Sequence, residues 1–417
     1  MGTFILSKKI TDNIYKQEQQ KIIKELGFSK EFLEDGRDFN YFLSDYVNNG
    51  LIDKNEVKKH LFNALFYGQQ RECYIYKIAK FEKSILLQEN LITRLNTYNK
   101  AIDSLAFNDI VVGSLNTDEN DLVAIKAFYK PNTKSIAKVR MLFANDLDVM
   151  NHKKEVYNAI TYIAVEINLL NNTLMIRVAS RSNVSILDDK KQPDYLNYIY
   201  KEKICSLFKL TLSDFGNTHK ETICNMSKEL YNQIYSEMVK TKPHQLDEFV
   251  TKTEKEFNSI IGIKDIELKK SINNVFNISD NFEKMIEHIL ISDILYEVEK
   301  GRDLENVDGL VTYLRFTDGK KISARLKGAS CREPIFDSEA FMALRSAIEN
   351  SQRILRLEVC WLGDYDKLRV TYDASSSEYL NVHFYKNLEK DELDYALGQF
   401  RNYEAKTIRF VAVEAKA

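Results

Sequence analysis

The chain has 417 residues, 44% of them hydrophobic and 29% charged, which is long enough for two or three domains with cores of their own and excludes wholesale disorder. Its 59 Lys and Arg stand against 61 Asp and Glu, a formal charge of −2, so the molecule does not bind nucleic acid or anionic membrane by bulk charge. With only 4 Pro and 14 Gly there is no evident linker, and domain borders have to be read from changes of pattern.

Residues 1–107 read as a helical module. Ile10, Ile14, Ile22, Ile23 and Leu26 recur at helical spacing and Gly27 supplies a stop. Tyr41, Phe42, Tyr46 and Val47 make a second helix ending at Asn48-Asn49-Gly50, and Asp53 is placed to cap a third with Val57, Leu61 and Leu65 on one stripe. A longer helix through Ile85, Leu91, Leu95 and Ile102 closes the module.

Residues 108–185 change to a period of two. Ile110–Gly113, Leu122–Tyr129 and Ala137–Phe143 are predicted strands, and Ile163, Val165 and Ile167 match Val178, Ile176 and Leu174 across a turn at Leu170-Asn171, with Arg177 on the outer face. A small antiparallel sheet is expected. Residues 186–307 return to helix, with Met226, Leu230, Ile234 and Met238 on one face and Ile286, Leu290, Ile294 and Val298 on another. Residues 308–417 mix both. A hairpin comes first, then a helix capped by Asp337 or Ser338, strands around Leu357, Val370 and Val382, a helix through Leu393, Leu397 and Phe400, and a last strand at Ile408 and Phe410. Without a regular βαβ rhythm the fold class is α+β.

Charge is unevenly spread. Between Lys126 and Lys154 seven basic residues (Lys126, Lys130, Lys134, Lys138, Arg140, Lys153, Lys154) face only Asp146 and Asp148, whereas Gln245–Leu310 is acidic. Such asymmetry marks a binding face or the docking of one segment on another; a solvated face would show it too.

The hairpin at Leu310–Gly328 is the most informative segment. A three-residue turn at Thr317-Asp318-Gly319 pairs Leu314 with Ile322, Thr312 with Ala324 and Leu310 with Leu326, so that all the aliphatic residues except Val311 share one face. The other face then carries Arg315, Lys321, Arg325 and Lys327 around Tyr313, with Arg315 directly opposite Lys321. Like charges in that position repel unless an acid or a bound anion answers them. Arg356, Arg369 and His383 fall on polar faces of nearby predicted strands and can extend this surface, with Tyr313, Tyr379 and Tyr385 available to stack on bases.

Signatures of enzymes are sparse. The phosphate-binding, dinucleotide, serine-hydrolase and zincin motifs are all missing from the sequence. Cys205, His219 and Cys224 have no zinc spacing and no fourth ligand. Val413-Glu414-Ala415-Lys416 spells half of a metal-dependent nuclease motif on a predicted strand, without an aspartate strand before it. Five cysteines without a C-x-x-C pair, in a chain with no secretory signal, read as a reduced cytoplasmic protein, and no apolar run approaches the roughly 18 residues of a membrane helix.

The expected function is non-enzymatic nucleic-acid binding, DNA foremost, in a bacterial DNA-transaction or anti-phage defence setting. Its expected contacts are Arg315, Lys321, Arg325, Lys327 and Tyr313, together with Lys126, Lys130, Lys134, Lys138 and Arg140. No cofactor and no metal are implied. The alternatives are a scaffold that docks on a protein partner or a second copy, and a metal-dependent nuclease using Glu414 and Lys416.

Overall fold

A computed structural model describes residues 3–68, 71–98, 121–150, 155–179, 193–241, 246–260, 278–299, 304, 306–317, 323–328, 330, 333–351, 353–363 and 368–414. The chain is α+β, as its patterning predicts. In order it forms α1 (Lys8–Thr11), α2 (Lys16–Glu25), α3 (Ser29–Asp35), α4 (Phe39–Asn48), α5 (Lys54–Asn63), a π-helix (Ala64–Gly68), β1 (Glu72–Lys80), a 3-10 turn (Lys83–Leu86) and α6 (Gln88–Tyr98). There follow β2 (Asp121–Tyr129), β3 (Ile136–Met150), β4 (Val156–Asn168), β5 (Thr173–Val178), α7 (Pro193–Phe208), β6 (Thr211–Ser213), α8 (Thr218–Thr241), α9 (Leu246–Ile260) and α10 (Ile278–Glu299). The remainder is β7 (Gly309–Thr317), β8 (Ser323–Lys327), a 3-10 turn (Ile335–Asp337), α11 (Glu339–Asn350), β9 (Ile354–Trp361), β10 (Leu368–Asp373), β11 (Leu380–Phe384) and α12 (Lys390–Glu414).

These elements divide into two compact units. Unit 1 is residues 1–216 with 376–397, and unit 2 is residues 217–375 with 398–417. The last strand of the first unit is therefore supplied from far along the chain: β11 pairs β1 with Cys73 opposite Val382. No local pattern encodes a partner some three hundred residues away.

In unit 1 the antiparallel order is β2-β3-β4-β5-β1-β11, with β6 pairing the far end of β1. The β4–β5 register is the expected one, Ile163 opposite Val178, Val165 opposite Ile176 and Ile167 opposite Leu174. Pro193, whose fixed φ suits a first helical turn, opens α7. Leu196, Tyr200, Ile204 and Phe208 then recur every four residues and pack on the Val165–Ile176 face. Asp53 caps α5 by accepting from the Asn55 amide at 3.1 Å. Strand β1 itself lies inside the expected helical module. Tyr74, Tyr76 and Ile78 are buried on one face, while on the other Cys73 is buried and Ile75 and Lys77 are half-buried; the apolar Cys73 and Ile75 on that second face blur the alternation that would mark a strand. The predicted strand at Ile110–Gly113 and Ile102 lie outside the described residues.

In unit 2 the order is β10-β9-β7-β8, with Ser338 capping α11 through the Phe341 amide at 3.1 Å. Met226, Leu230, Ile234 and Met238 are buried on α8 as the spacing predicts. On α10 the buried stripe is rotated by one residue from the expected one, to Glu287, Ile291, Ile294 and Leu295. A carboxylate sits in it because Arg345 (2.8 Å) and the Tyr235 hydroxyl (2.8 Å) both bond to Glu287. The predicted strand at Ile408 and Phe410 is also corrected: α12 continues through both to Glu414. Phe400, Tyr403 and Thr407 prolong its buried stripe at helical spacing, and the Thr407 hydroxyl bonds back to the Tyr403 carbonyl at 2.8 Å.

Candidate nucleic-acid interface

The basic hairpin forms, with a register different from the expected one. Leu314 lies opposite Leu326, Arg315 opposite Arg325 and Tyr313 opposite Lys327, so the connection runs over residues 318–322, outside the described residues together with Lys321. The slide is by an even number of positions. From Tyr313 toward the turn each described side chain of β7 therefore keeps its face, while the opposing partner of Arg315 changes from Lys321 to Arg325.

A bulge accounts for Val311, the one aliphatic residue that fitted badly. In the β7–β9 ladder Val311 pairs Val359 and Tyr313 pairs Glu358, leaving Thr312 as the extra residue. Val311 is thereby turned to the apolar side. Thr312, expected there, instead donates its hydroxyl to Glu358 Oε1 at 2.6 Å. Gly309 opens β7 because a Cβ would come within 2.8 Å of Val359 and 3.0 Å of Trp361. At the far end of β8, a Cβ on Gly328 would lie 1.9 Å from the Glu333 carbonyl oxygen.

Pairing on both sides of β7 assembles a single rung across three strands, Arg325–Arg315–Arg356, and β10 completes it with Asp373. The neighbouring rung reads Lys327–Tyr313–Glu358–Thr371. Adjacent strands lie about 4.8 Å apart, so the three arginine backbones span about 10 Å. Arg315, Arg325 and Lys327 are exposed and Tyr313 is half-buried beneath the Arg356 guanidinium, 5.8 Å from its ring centre. Among the described residues neither Arg315 nor Arg325 has an ion pair. Arg356, 41% exposed, stands 3.8 Å from Asp373.

Glu358 is the buried organiser of this face. It accepts from Thr312, from Thr371 at 3.3 Å and from Arg369 at 2.8 Å, so its charge is matched inside the sheet. Five cationic side chains thus share the face with two carboxylates, and the excess lies toward β8 and β7. Beneath it Leu314, Phe316, Leu326, Leu357 and Val359 are buried, and this apolar face holds the strands that carry the cations.

The second expected cluster has another fate. Lys126 and Arg140 are paired across β2 and β3, and Arg140 is paired in turn with Glu166 of β4. Arg140 is buried, donating to Glu166 Oε2 at 2.7 Å among the rings of Phe66, Tyr67 and Phe128, and Lys138 reaches Glu166 Oε1 at 3.2 Å. Both cations are thus engaged with the Glu166 carboxylate, Arg140 buried and Lys138 half-buried. Lys126 is half-buried over Phe128, with its pKa lowered first by burial and then by Arg140. Lys130 and the exposed Lys134 lie at the β2–β3 turn, where Asn132 takes a φ of 59°.

Arg177 is corrected more strongly. Expected on an outer face, it is fully buried, and its guanidinium donates to the carbonyls of Phe66 and Tyr67 in the π-helix, both at 2.8 Å. His383 belongs to unit 1, where its Nδ1 lies 2.7 Å from Glu72 Oε1. Tyr379 packs against Tyr74 and Tyr76 and Tyr385 against His383, so of the three tyrosines only Tyr313 shares the arginine face.

Glu414 ends a helix, where a strand was expected, and Lys416 is outside the described residues. Cys224 donates its thiol to the Ser351 carbonyl at 3.3 Å, and Cys205 belongs to the other unit from His219 and Cys224. Among the described residues no three His, Cys, Asp or Glu side chains cluster as metal ligands, and no helix is long and apolar enough to cross a membrane. Compared with family models and with curated proteins, the chain matches none.

Proposed function

We propose that the β8–β7–β9 face of unit 2 binds nucleic acid through its phosphate backbone, without catalysing a reaction on it. The observation that carries this reading is the rung Arg325–Arg315–Arg356, whose first two members are exposed and have no ion pair among the described residues. Like charges placed opposite each other in a sheet lower its stability, and a polyanion removes that cost on binding. Guanidinium groups suit the role because each presents a planar fork of donors to a phosphate. Contacts of this kind supply affinity without base preference.

The test is fluorescence anisotropy of the full chain with labelled duplex DNA, single-stranded DNA and RNA over a salt series, comparing wild type with Arg315→Glu/Arg325→Glu. Affinity should fall with salt, and the double variant should bind more than about tenfold more weakly, with a slope of log K against log salt shallower by about two. Absence of binding at low salt, or equal binding by the double variant, would overturn the proposal. In that event the face becomes a candidate for an acidic protein partner or a second copy of the chain.

A further inference from the structure

Unit 2 holds a cavity of about 160 Å³ lined by α8, α11 and the Ile335–Asp337 turn. Its apolar wall is aromatic. Tyr231, Phe336 and Phe341 meet one another at centroid distances of 5.1, 5.0 and 5.6 Å, and Phe336 and Phe341 are buried at its floor. Such rings present edges and faces suited to a further ring in offset or edge-to-face packing.

Two cations line the cavity, and they differ in kind. Arg345 is already spent: it bonds to the buried Glu287 at 2.8 Å and lies over Tyr231 at 5.1 Å, so it acts as a fixed wall. Lys228 is half-exposed and lies within hydrogen-bonding reach of the buried Cys224 thiol, and no ion pair joins it to a carboxylate among the described residues. Beside it on the same helix, Asn232 is exposed at the mouth and offers an amide. An aromatic wall with one positive charge that no carboxylate neutralises points to a ligand that is flat at one end and anionic at the other.

Size narrows the class further. A cavity of about 150 Å³ accepts benzene, so the present one accommodates a single six-membered ring with a small substituent. We propose that this cavity binds a single-ring aromatic carboxylate, the ring against Tyr231, Phe336 and Phe341 and the carboxylate on Lys228. The site is independent of the arginine rung, and its test does not involve nucleic acid.

The experiment is ligand-observed NMR and calorimetry on the full chain with sodium benzoate as the probe, and with acetate and benzamide as the ringless and uncharged comparisons. Benzoate should bind saturably and at least about tenfold more tightly than either comparison. Lys228→Met, which keeps the aliphatic stem, should weaken benzoate by about tenfold while leaving benzamide unchanged. Asn232→Trp, at an exposed position that obstructs the mouth, should weaken both ring compounds, so the proposal stays testable if the lysine variant folds poorly. Lack of saturable benzoate binding, equal affinity for acetate or benzamide, or indifference to both variants would overturn it.

Discussion

The two basic hairpins, β2–β3 and β7–β8, look alike in sequence and end in opposite states. Each sets two cations side by side, Lys126 with Arg140 in the first and Arg315 with Arg325 in the second. The difference lies in the third strand of the rung. Opposite Arg140 stands Glu166, and the π-helix rings of Phe66 and Tyr67 cover the pair. Opposite Arg315 stands a further cation, Arg356, and the carboxylate arrives one strand later as Asp373. A charge run in a strand thus becomes core or surface according to what the next strand brings into register.

That contrast can be broken at its acidic end first. Glu166→Gln would leave Arg140 buried without its counter-charge and should lower unfolding free energy by about 3 kcal/mol, read from urea denaturation. A change of less than about 1 kcal/mol would mean that the carboxylate does not hold the two cations in place. Next in size is Arg177→Met, which keeps much of the volume but withdraws two donors from the carbonyls of Phe66 and Tyr67. A loss of about 2 kcal/mol is expected in the same assay.

Alkaline pH probes the same covered face. Burial, opposed by the neighbouring Arg140, pushes the Tyr67 hydroxyl from its ordinary value of 10.0 up to about 12. The folded state therefore holds this proton more tightly than the unfolded chain. Its contribution is complete below pH 10, declines above it and is lost by about pH 12. Urea midpoints should fall across that window in the wild type and fall less in Tyr67→Phe; parallel curves would reject the assignment.

The smallest effect on stability is expected at the exposed rung, and its sign should differ. Arg315→Thr/Arg325→Thr removes a repulsion and places β-formers in the strands, so the unfolding free energy should be unchanged or higher by up to about 0.5 kcal/mol. A clear destabilisation would show that these arginines, like Arg140, are structural.

Much of this was legible in the chain itself. The capping of α5 by Asp53 and of α11 by Ser338 depends on residues adjacent in sequence, as does the β4–β5 register set by its short turn. The two faces of the β7–β8 hairpin were legible as well, because an even register slide does not alter them. What misled were segments whose local pattern is ambiguous. Ile408 and Phe410 fit a strand of period two until the stripe through Tyr403 and Thr407 is followed, and β1 shows little alternation in sequence because apolar Cys73 and Ile75 share the less buried face with Lys77. At the candidate interface, the cations of the hairpin could be named from sequence. Arg356 could be proposed as a neighbour but not placed, and Glu358 gave no sign of being buried.

The sequence by itself determined the α+β class, most helices, the pairing of adjacent strands and the sidedness of the basic hairpin, since each follows from periodicity and turn chemistry over a few residues. Only the tertiary structure decided which cations are covered and which face water. Arg140 and Arg177 lie inward because β4 and the π-helix supply a carboxylate, rings and carbonyls to receive them. Arg315 and Arg325 remain outward because the strand that joins them brings a third arginine. The physical reason is that the cost of burying a charge depends on its partners, and those partners come from elements other than the strand that carries the charge.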